Sequence, residues 1–419
     1  MQTNFIPKKD TACWTIQPEQ DQNGFESLQI RSYPLNPEQF TTVSEPYQNW
    51  RELFQNDPHS DLEQHPDHIL SISSLLQKNQ SAVNGHLILC RQGNRPVAAG
   101  ILLPKSISTK KLRGLGPARQ LHGYFLSGKR FLIAKDYQYD HGFQNFLLEA
   151  TLSFCGQTAG RYLLLEDILI DEPLNQSLSQ LSSHCLTYSH TGFQSRCLIQ
   201  FPEIPLDYWN QFRSKSRRKH RKLIRDNSHL KLVRITRPDQ VADFLDAAHQ
   251  ISKNTWQTQR LGLRVKNSAK EIEELLFFAI NDALRSYLLM DQDQPVAFKI
   301  GIQHQGIYHD REFGFDLDYA SISPGETLLL LILEDLITYD TPRTFDFGIG
   351  DAEYKQRYSS EITQSRSVLL FPSSLRNKSL LSYLKASCWI DQFSRKVLKR
   401  TGLYTALRHL VRYRKLGSR

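Results

Sequence analysis

From residue 45 onward the apolar positions of this 419-residue chain follow two rhythms, one near 3.6 residues and one near 2, and the rhythms recur in the same order twice. Residues 1–44 show neither. They are rich in Gln, Glu, Pro and Thr and predict a loose polar arm or an irregular edge addition. Pro46–Phe54 reads as a short helix beginning near Ser44, and a second helix is expected within 64–78. The run 87–103 holds two β-rich stretches around a polar Arg91–Arg95 turn, a hairpin by composition. Gln144–Cys155 has helical periodicity, and 162–170 reads as a mostly buried strand.

The second half repeats that order. Val241–Trp256 and Ala269–Leu284 predict helices, 287–302 a strand, polar turn and strand, and Tyr308–Tyr319 another strand. Glu326–Tyr339 then reads as a helix and Thr344–Ile349 as a short strand. Pro96-Val97-Ala98 in the first copy matches Pro295-Val296-Ala297 in the second, which together with the repeated order points to duplication. The division this predicts is an arm over 1–44, a first domain over 45–205, a second over 206–375, and a tail over 376–419. The fold class is α/β, more closely α+β, with a mixed and mostly antiparallel sheet in each domain flanked by helices.

Charge adds a partner question. The formal charge is +9, but residues 1–70 carry eleven acids against four bases. Arg213–Arg225 carries eight bases and no acid, within a segment whose Tyr208, Trp209, Phe212, Leu223 and Ile224 give it an apolar side. Lys385–Arg419 carries ten bases against the single acid Asp391. Nucleic acid, anionic lipid and a polyphosphate cofactor could each use such elements, and so could plain solvation. The first residues lack a signal-peptide apolar segment, and the longest apolar run, Leu328–Leu333, is far short of a membrane span. Six scattered cysteines show no CxxC spacing, so neither a zinc site nor a disulfide framework is signalled. No other ligand pattern for a metal is present, and a cytoplasmic protein with reduced thiols is expected.

Candidate chemistry concentrates in three segments. Ser323-Pro324-Gly325-Glu326-Thr327 starts a long helix after a strand, which offers either an ordinary capped start or an anion site at unpaired amides, with Gly325 admitting close approach. In 345–360, Asp346 ends a short β run, Gly348 and Gly350 permit a sharp loop, and Asp351, Tyr354, Lys355 and Arg357 follow. Asp346 or Asp351 could accept a proton, Tyr354 could donate one to a leaving group, and Lys355 or Arg357 could neutralise phosphate or carboxylate; equally, the two aspartates could cap turns. On the strand Ile307–Asp316, Tyr308, Asp310 and Glu312 alternate on one face and His309, Arg311 and Phe313 on the other.

Taken together, the basic helix, the Trp256-Gln257 region, Pro295-Val296-Ala297, the Tyr308–Tyr319 strand, Ser323-Pro324-Gly325 and Asp346-Phe347-Gly348 with Tyr354-Lys355 resemble the GNAT-fold acyltransferases of the bacterial cellulose-biosynthesis acetyltransferase group. That group is similar in turn to Fem-type transferases with two GNAT domains in tandem. The resemblance implies tandem GNAT-like domains, the first a degenerate copy, and an acyl-CoA or acetyl-CoA donor bound at Ser323, Gly325, Glu326 and Thr327 with Lys355 and Arg357. It implies direct transfer to an amine or hydroxyl of a sugar, polysaccharide or lipid precursor, with Asp346, Asp351, Tyr308, Tyr354 and Glu312 as candidate catalytic groups and no metal. The usual pyrophosphate loop is replaced here by Ser-Pro-Gly, and Fem-like members use aminoacyl-tRNA instead. On this reading tRNA ranks behind CoA, DNA is not a partner, and the tail 379–419 is a candidate for an anionic membrane surface on the inner face of the cytoplasmic membrane. The alternatives are a Fem-like aminoacyl-tRNA-dependent transferase and a non-catalytic GNAT-fold binding protein.

Overall fold

A computed structural model describes residues 3–8, 11–16, 28–36, 40–78, 84–112, 115, 118–158, 161–181, 185–189, 191–255, 258 and 262–400. The Trp256-Gln257 region and the tail beyond Arg400 lie outside them. The described part of 1–44 is more regular than its composition predicts: β1 (Thr3–Lys8), β2 (Thr11–Ile16) and β3 (Leu28–Pro34) form an antiparallel edge joined to β4 (His86–Gln92). Pairing at a sheet edge satisfies backbone groups whatever the side chains are, so a polar segment can be a strand there.

The predicted hairpin is β4 with β5 (Arg95–Ser108), and β6 (Gln120–Leu126) continues it antiparallel. Its counterpart is β12 (Ser286–Asp291), β13 (Gln294–His304) and β14 (Ile307–Phe315). The two Pro-Val-Ala tripeptides occupy equivalent places. Pro96 pairs with Arg91 and Pro295 with Met290, each next to a register shift that leaves the following valine, Val97 or Val296, as the extra residue. Proline cannot donate to the ladder, so a bulge beside it is the physical reason the tripeptide recurs.

After β6 the chain returns through helix α3 (His141–Gln157) to β8 (Leu163–Leu169), parallel to β6; after β14 a long helix, Pro324–Tyr339, returns to β15 (Thr344–Ile349), parallel to β14. All other pairings are antiparallel. The centre of the sheet runs β6, β8, β16 (Glu361–Pro372), β10 (Phe193–Gln200), β15, β14. Strand β10 belongs to the first half of the sequence yet pairs with β15, and β16 belongs to the second half yet pairs with β8. Each half therefore lends its last strand to the other.

Side-chain alternation assigns the two faces of the sheet. On β4, Leu87 and Leu89 join one core while Ile88 and Cys90 join another; on β12, Leu288 goes to the first and Tyr287 and Leu289 to a third. The first core is common to both halves, uniting Trp50, Leu53 and Leu87 with Phe244, Phe278 and Phe298. It lies under helices α1 (Glu45–Asn56) and α2 (Pro66–Lys78) of the first half and Val241–Lys253 and Ala269–Ile280 of the second. The opposite face carries two separate cores, one under α3 and one under Pro324–Tyr339. The basic segment is broken in two, a 3₁₀ stretch Pro205–Gln211 and helix Ser214–Asp226, because Phe212 turns inward between them. Leu375–Arg400 is one amphipathic helix that buries Leu381 and Leu384 and exposes Trp389, Ile390 and Phe393. Among the described residues no helix is long and apolar enough to cross a membrane.

The β6–β8 junction depends on Gly123. A Cβ there would sit 2.6 Å from the Tyr162 carbonyl oxygen and 2.7 Å from its ring, and the backbone atom cannot swing away. Gly123→Ala is expected to cost about 1–3 kcal/mol, read as a lower urea midpoint with an unchanged slope; an unaltered midpoint would show that the sheet is not closed at this point.

Candidate functional site

Strands β14 and β15 pair only over Ile307–His309 with Thr344–Asp346, then separate. Beyond the separation β15 bends at Gly348 (φ +70°) and Gly350 (φ +124°). The wedge this opens is roofed by the first turn of Pro324–Tyr339 and by the short helix Glu353–Tyr358, leaving a pocket of about 280 Å³. Its wall is mainly apolar and aromatic, with Phe313, Phe315 and Leu329, and its polar groups are Lys299, Glu326, Tyr354 and Tyr358.

These groups are held firmly. Lys299 Nζ lies 2.6 Å from Asp310 Oδ2, both buried, and 5.0 Å from the Phe313 ring centroid. Lys355 Nζ donates to the carbonyls of Phe347 (2.6 Å) and Ile349 (3.0 Å), fixing the bend of β15, and burial pulls its pKa below that of an ordinary lysine. Burial, with the charges of Asp310, Cys197 and Glu312 acting the same way, pushes the Tyr354 phenol up, so it stays protonated at neutral pH. Glu326 Oε1 accepts from Tyr358 Oη (2.9 Å) and Arg357 Nη1 (3.0 Å), and Tyr358 Oη lies 3.2 Å from His220 Nε2 on the basic helix. The other carboxylate oxygen of Glu326 has no hydrogen-bond partner among the described residues.

The sequence-predicted residues separate into distinct groups. Glu326, Gly325, Ser323, Tyr354 and, behind the wall, Lys355 come together. Ser323 does not cap with its side chain; it is left-handed (φ 53°), and Asn227 Nδ2 secures the turn through the Ile322 carbonyl (2.9 Å) and Thr327 Oγ1 (2.8 Å). Thr327 is thereby committed inside the protein. Arg357 is committed to Glu326 and Glu353. Tyr308 is fully buried, donates to the Arg285 carbonyl (3.1 Å) and stacks on Phe345 at 4.5 Å, so its place is structural rather than in the pocket. Glu312 binds Arg264 at 2.7 Å, and Asp351 is exposed outside the pocket lining.

Asp346 lies elsewhere again, in a polar groove of about 290 Å³ beside the opposite end of the paired strands. Arg196 of β10 donates through Nε to both its oxygens (3.0 and 3.1 Å) and through Nη2, while its Nη1 binds Asp167 of β8. Lys129 Nζ (3.3 Å) also approaches Asp167, and His309 Nδ1 stands 3.6 Å from Asp346. Burial alone would raise the Asp346 carboxyl; His309 and Arg196 outweigh it and hold that carboxyl well below the usual range. Asp346 is thus an anchored ion, not a free base. Asp167 is in the left-handed region (φ 54°) inside a strand, a strained backbone that the Arg196 network holds. Arg196, Asp167 and Lys299 were not singled out as site groups by sequence reading, whereas Asp310 was, as a candidate base, and it is held by Lys299. The available signal was a charged residue in each of several otherwise apolar strands. The buried thiol of Cys90 is pushed up to about 12 by desolvation, which leaves it no nucleophilic role.

With this geometry in view, the chain can be set beside known proteins. Residues 210–356 match the family model described as Acetyltransferase (GNAT) domain. Compared with curated protein sequences, the chain has no match. FemX superposes with a TM-score of 0.54 at 9% identity, covering 81% of this chain and 98% of that one. A tandem GNAT protein from the clavulanic acid biosynthesis pathway superposes at 0.44 (11% identity; 82% and 100% covered), and L-PGS from Bacillus licheniformis at 0.43 (11%; 71% and 86%). The chain therefore has a GNAT-like α+β fold with a mixed, mostly antiparallel sheet, a fold that acyltransferases use.

The comparison corrects the expected donor and partners. The structure whose fold is shared is FemX, of the Fem-type group rather than the acetyltransferase group first expected. The expected acyl-CoA or acetyl-CoA donor, the sugar or polysaccharide acceptor, and the ranking of tRNA behind CoA are set aside. The helix start supplies a physical reason. A Cβ on Gly325 would meet the Phe313 ring at 2.6 Å, so aromatic carbon stands close beside this helix start. The half-buried first turn presents the Glu326 carboxylate, which repels a pyrophosphate.

The sign of the Asp346 shift yields a stability prediction. A carboxyl whose folded pKa is depressed contributes stability that is full above its unfolded value of about 4 and is lost as pH falls below it. Wild-type unfolding free energy is expected to drop steeply below about pH 4, and the Asp346→Asn protein to lack part of that drop. Equal acid slopes in urea titrations would contradict the anchored ion.

Proposed function

We propose that the chain is a Fem-like transferase that moves an aminoacyl group from aminoacyl-tRNA to an amine or hydroxyl. It is built as two GNAT-like units, 45–205 and 206–375, with the donor at the second. The observation that carries this reading is the cationic face of helix Ser214–Asp226. Arg213, Lys215, Arg218, Lys219, Arg221, Lys222 and Arg225 are exposed along it, and their only carboxylate neighbour among the described residues is Asp226, 3.9 Å from Arg225. The helix turns Leu223 and Ile224 toward the core beneath Pro324–Tyr339, and His220 links it through Tyr358 to Glu326. A phosphate-binding surface thus adjoins the pocket.

The pocket complements an aminoacyl ester. Such an ester carries a cationic α-amino group, and Glu326 offers its unoccupied oxygen to it. The aromatic wall accepts the amino-acid side chain. In the transfer, the acceptor nitrogen or oxygen forms a bond to the ester carbonyl carbon. The bond from that carbon to the ribose oxygen breaks, and the acceptor's proton is lost as the ribose oxygen gains one. Tyr354, protonated on the pocket wall, is the proposed donor of that last proton. Orientation and fixed dipoles supply most of the rate.

Two tests follow. Arg218→Glu with Lys222→Glu should weaken binding of charged tRNA in filter assays and lower the log–log salt slope by roughly 1 for each phosphate contact removed. Tyr354→Phe should lower kcat for release of the aminoacyl group to an added amine by about 10²-fold or more, with KM unchanged. Absence of tRNA binding at low salt, or a salt slope indifferent to the charge reversals, would overturn the reading.

A further inference from the structure

A second cavity, of about 680 Å³, lies away from both the wedge and the groove. It is walled by the loops leading into β6 and β8 and by the first turns of helix Leu375–Arg400. Arg119, Arg161 and Arg376 enter it from these three elements, and Leu121, Leu380 and Tyr383 provide an apolar side. No carboxylate is among the described lining residues.

Arg161 is half-buried and Arg119 and Arg376 are exposed, whereas the more deeply set arginines of this protein are paired. Arg196 meets Asp167 and Asp346, Arg234 meets Asp335 and Asp340, Arg285 meets Asp282 and Asp340, and Arg311 meets Glu63 and Glu274. The three guanidiniums of the cavity have no side-chain hydrogen bond or ion pair among the described residues. Three like charges around one concavity repel one another, a cost that a bound anion removes. Planar guanidiniums grip phosphate oxygens in pairs of parallel hydrogen bonds, which a sphere of hydrated lysines would not do. The apolar side has no such use for a bare ion and fits an organic substituent on it.

We infer that this cavity is a binding site for a phosphate monoester or diester borne on an apolar or aromatic body, separate from the donor pocket. The site is independent of the proposed transfer reaction. Its place at the opposite end of β6 and β8 from the polar groove would let a ligand set the position of helix Leu375–Arg400 against the sheet.

The test uses the full chain with inorganic phosphate and phenyl phosphate as probes, followed by calorimetry and thermal melting. Both probes should bind and raise the melting temperature, and Arg161→Gln and Arg376→Gln should each weaken binding by about tenfold or more. Tighter binding of phenyl phosphate supports an organic phosphate as the ligand; equal binding supports the phosphate subsite with free phosphate as its source. Leu121→Asn should weaken phenyl phosphate only. Failure of both probes to bind overturns the inference. So does binding that the arginine variants leave unchanged while their circular dichroism matches wild type, or an effect of those variants on tRNA alone.

Discussion

Arg196 is the point on which the architecture turns. It stands on a strand from the first half of the sequence, and its guanidinium is shared between Asp346 on a strand of the second half and Asp167 on a strand of the first. All three groups are largely buried. A charge in that position is tolerable only with its partners in place, because removing one leaves an uncompensated buried ion at a cost of about 3–5 kcal/mol. The network therefore makes the two halves conditional on each other at the centre of the sheet.

Two other features act in the same direction. The exchange of β10 and β16 puts backbone hydrogen bonds of each half in the keeping of the other, and the core around Trp50 and Phe298 buries apolar surface from both. On the opposite face the helices keep separate cores. A continuous floor with divided roofs allows β14 and β15 to separate on one side without disrupting the sheet. The wedge between them then becomes a pocket whose helix start carries the Glu326 carboxylate, with the cationic helix adjoining it.

Much of this was legible in the letters. Periodicity located the helices and strands of both halves, and the Pro-Val-Ala tripeptides marked equivalent bulges. The surroundings of Ser323–Thr327 were not legible, because an early proline and glycine do not reveal what packs beside them; Phe313 does, from a neighbouring strand. The face assigned to Tyr308, Asp310 and Glu312 ends at Arg311, the extra residue where β14 loses register with β13, so Phe313 follows Tyr308 and Asp310 while Glu312 leaves them. Hence Tyr308 is core, Asp310 meets Lys299, and Glu312 meets Arg264. The exchange of terminal strands left no local trace, since it joins residues as far apart as Arg196 and Asp346, 150 positions away, and neither strand's own pattern names such a partner.

Hydrogen exchange on the full-length Arg196→Met protein examines this coupling most directly. If the Arg196 network welds the halves, amides in Leu163–Leu169 and in Thr344–Ile349 should lose protection together and to a similar extent relative to wild type. Loss confined to one of the two strands, or protection unchanged in both, would contradict the weld.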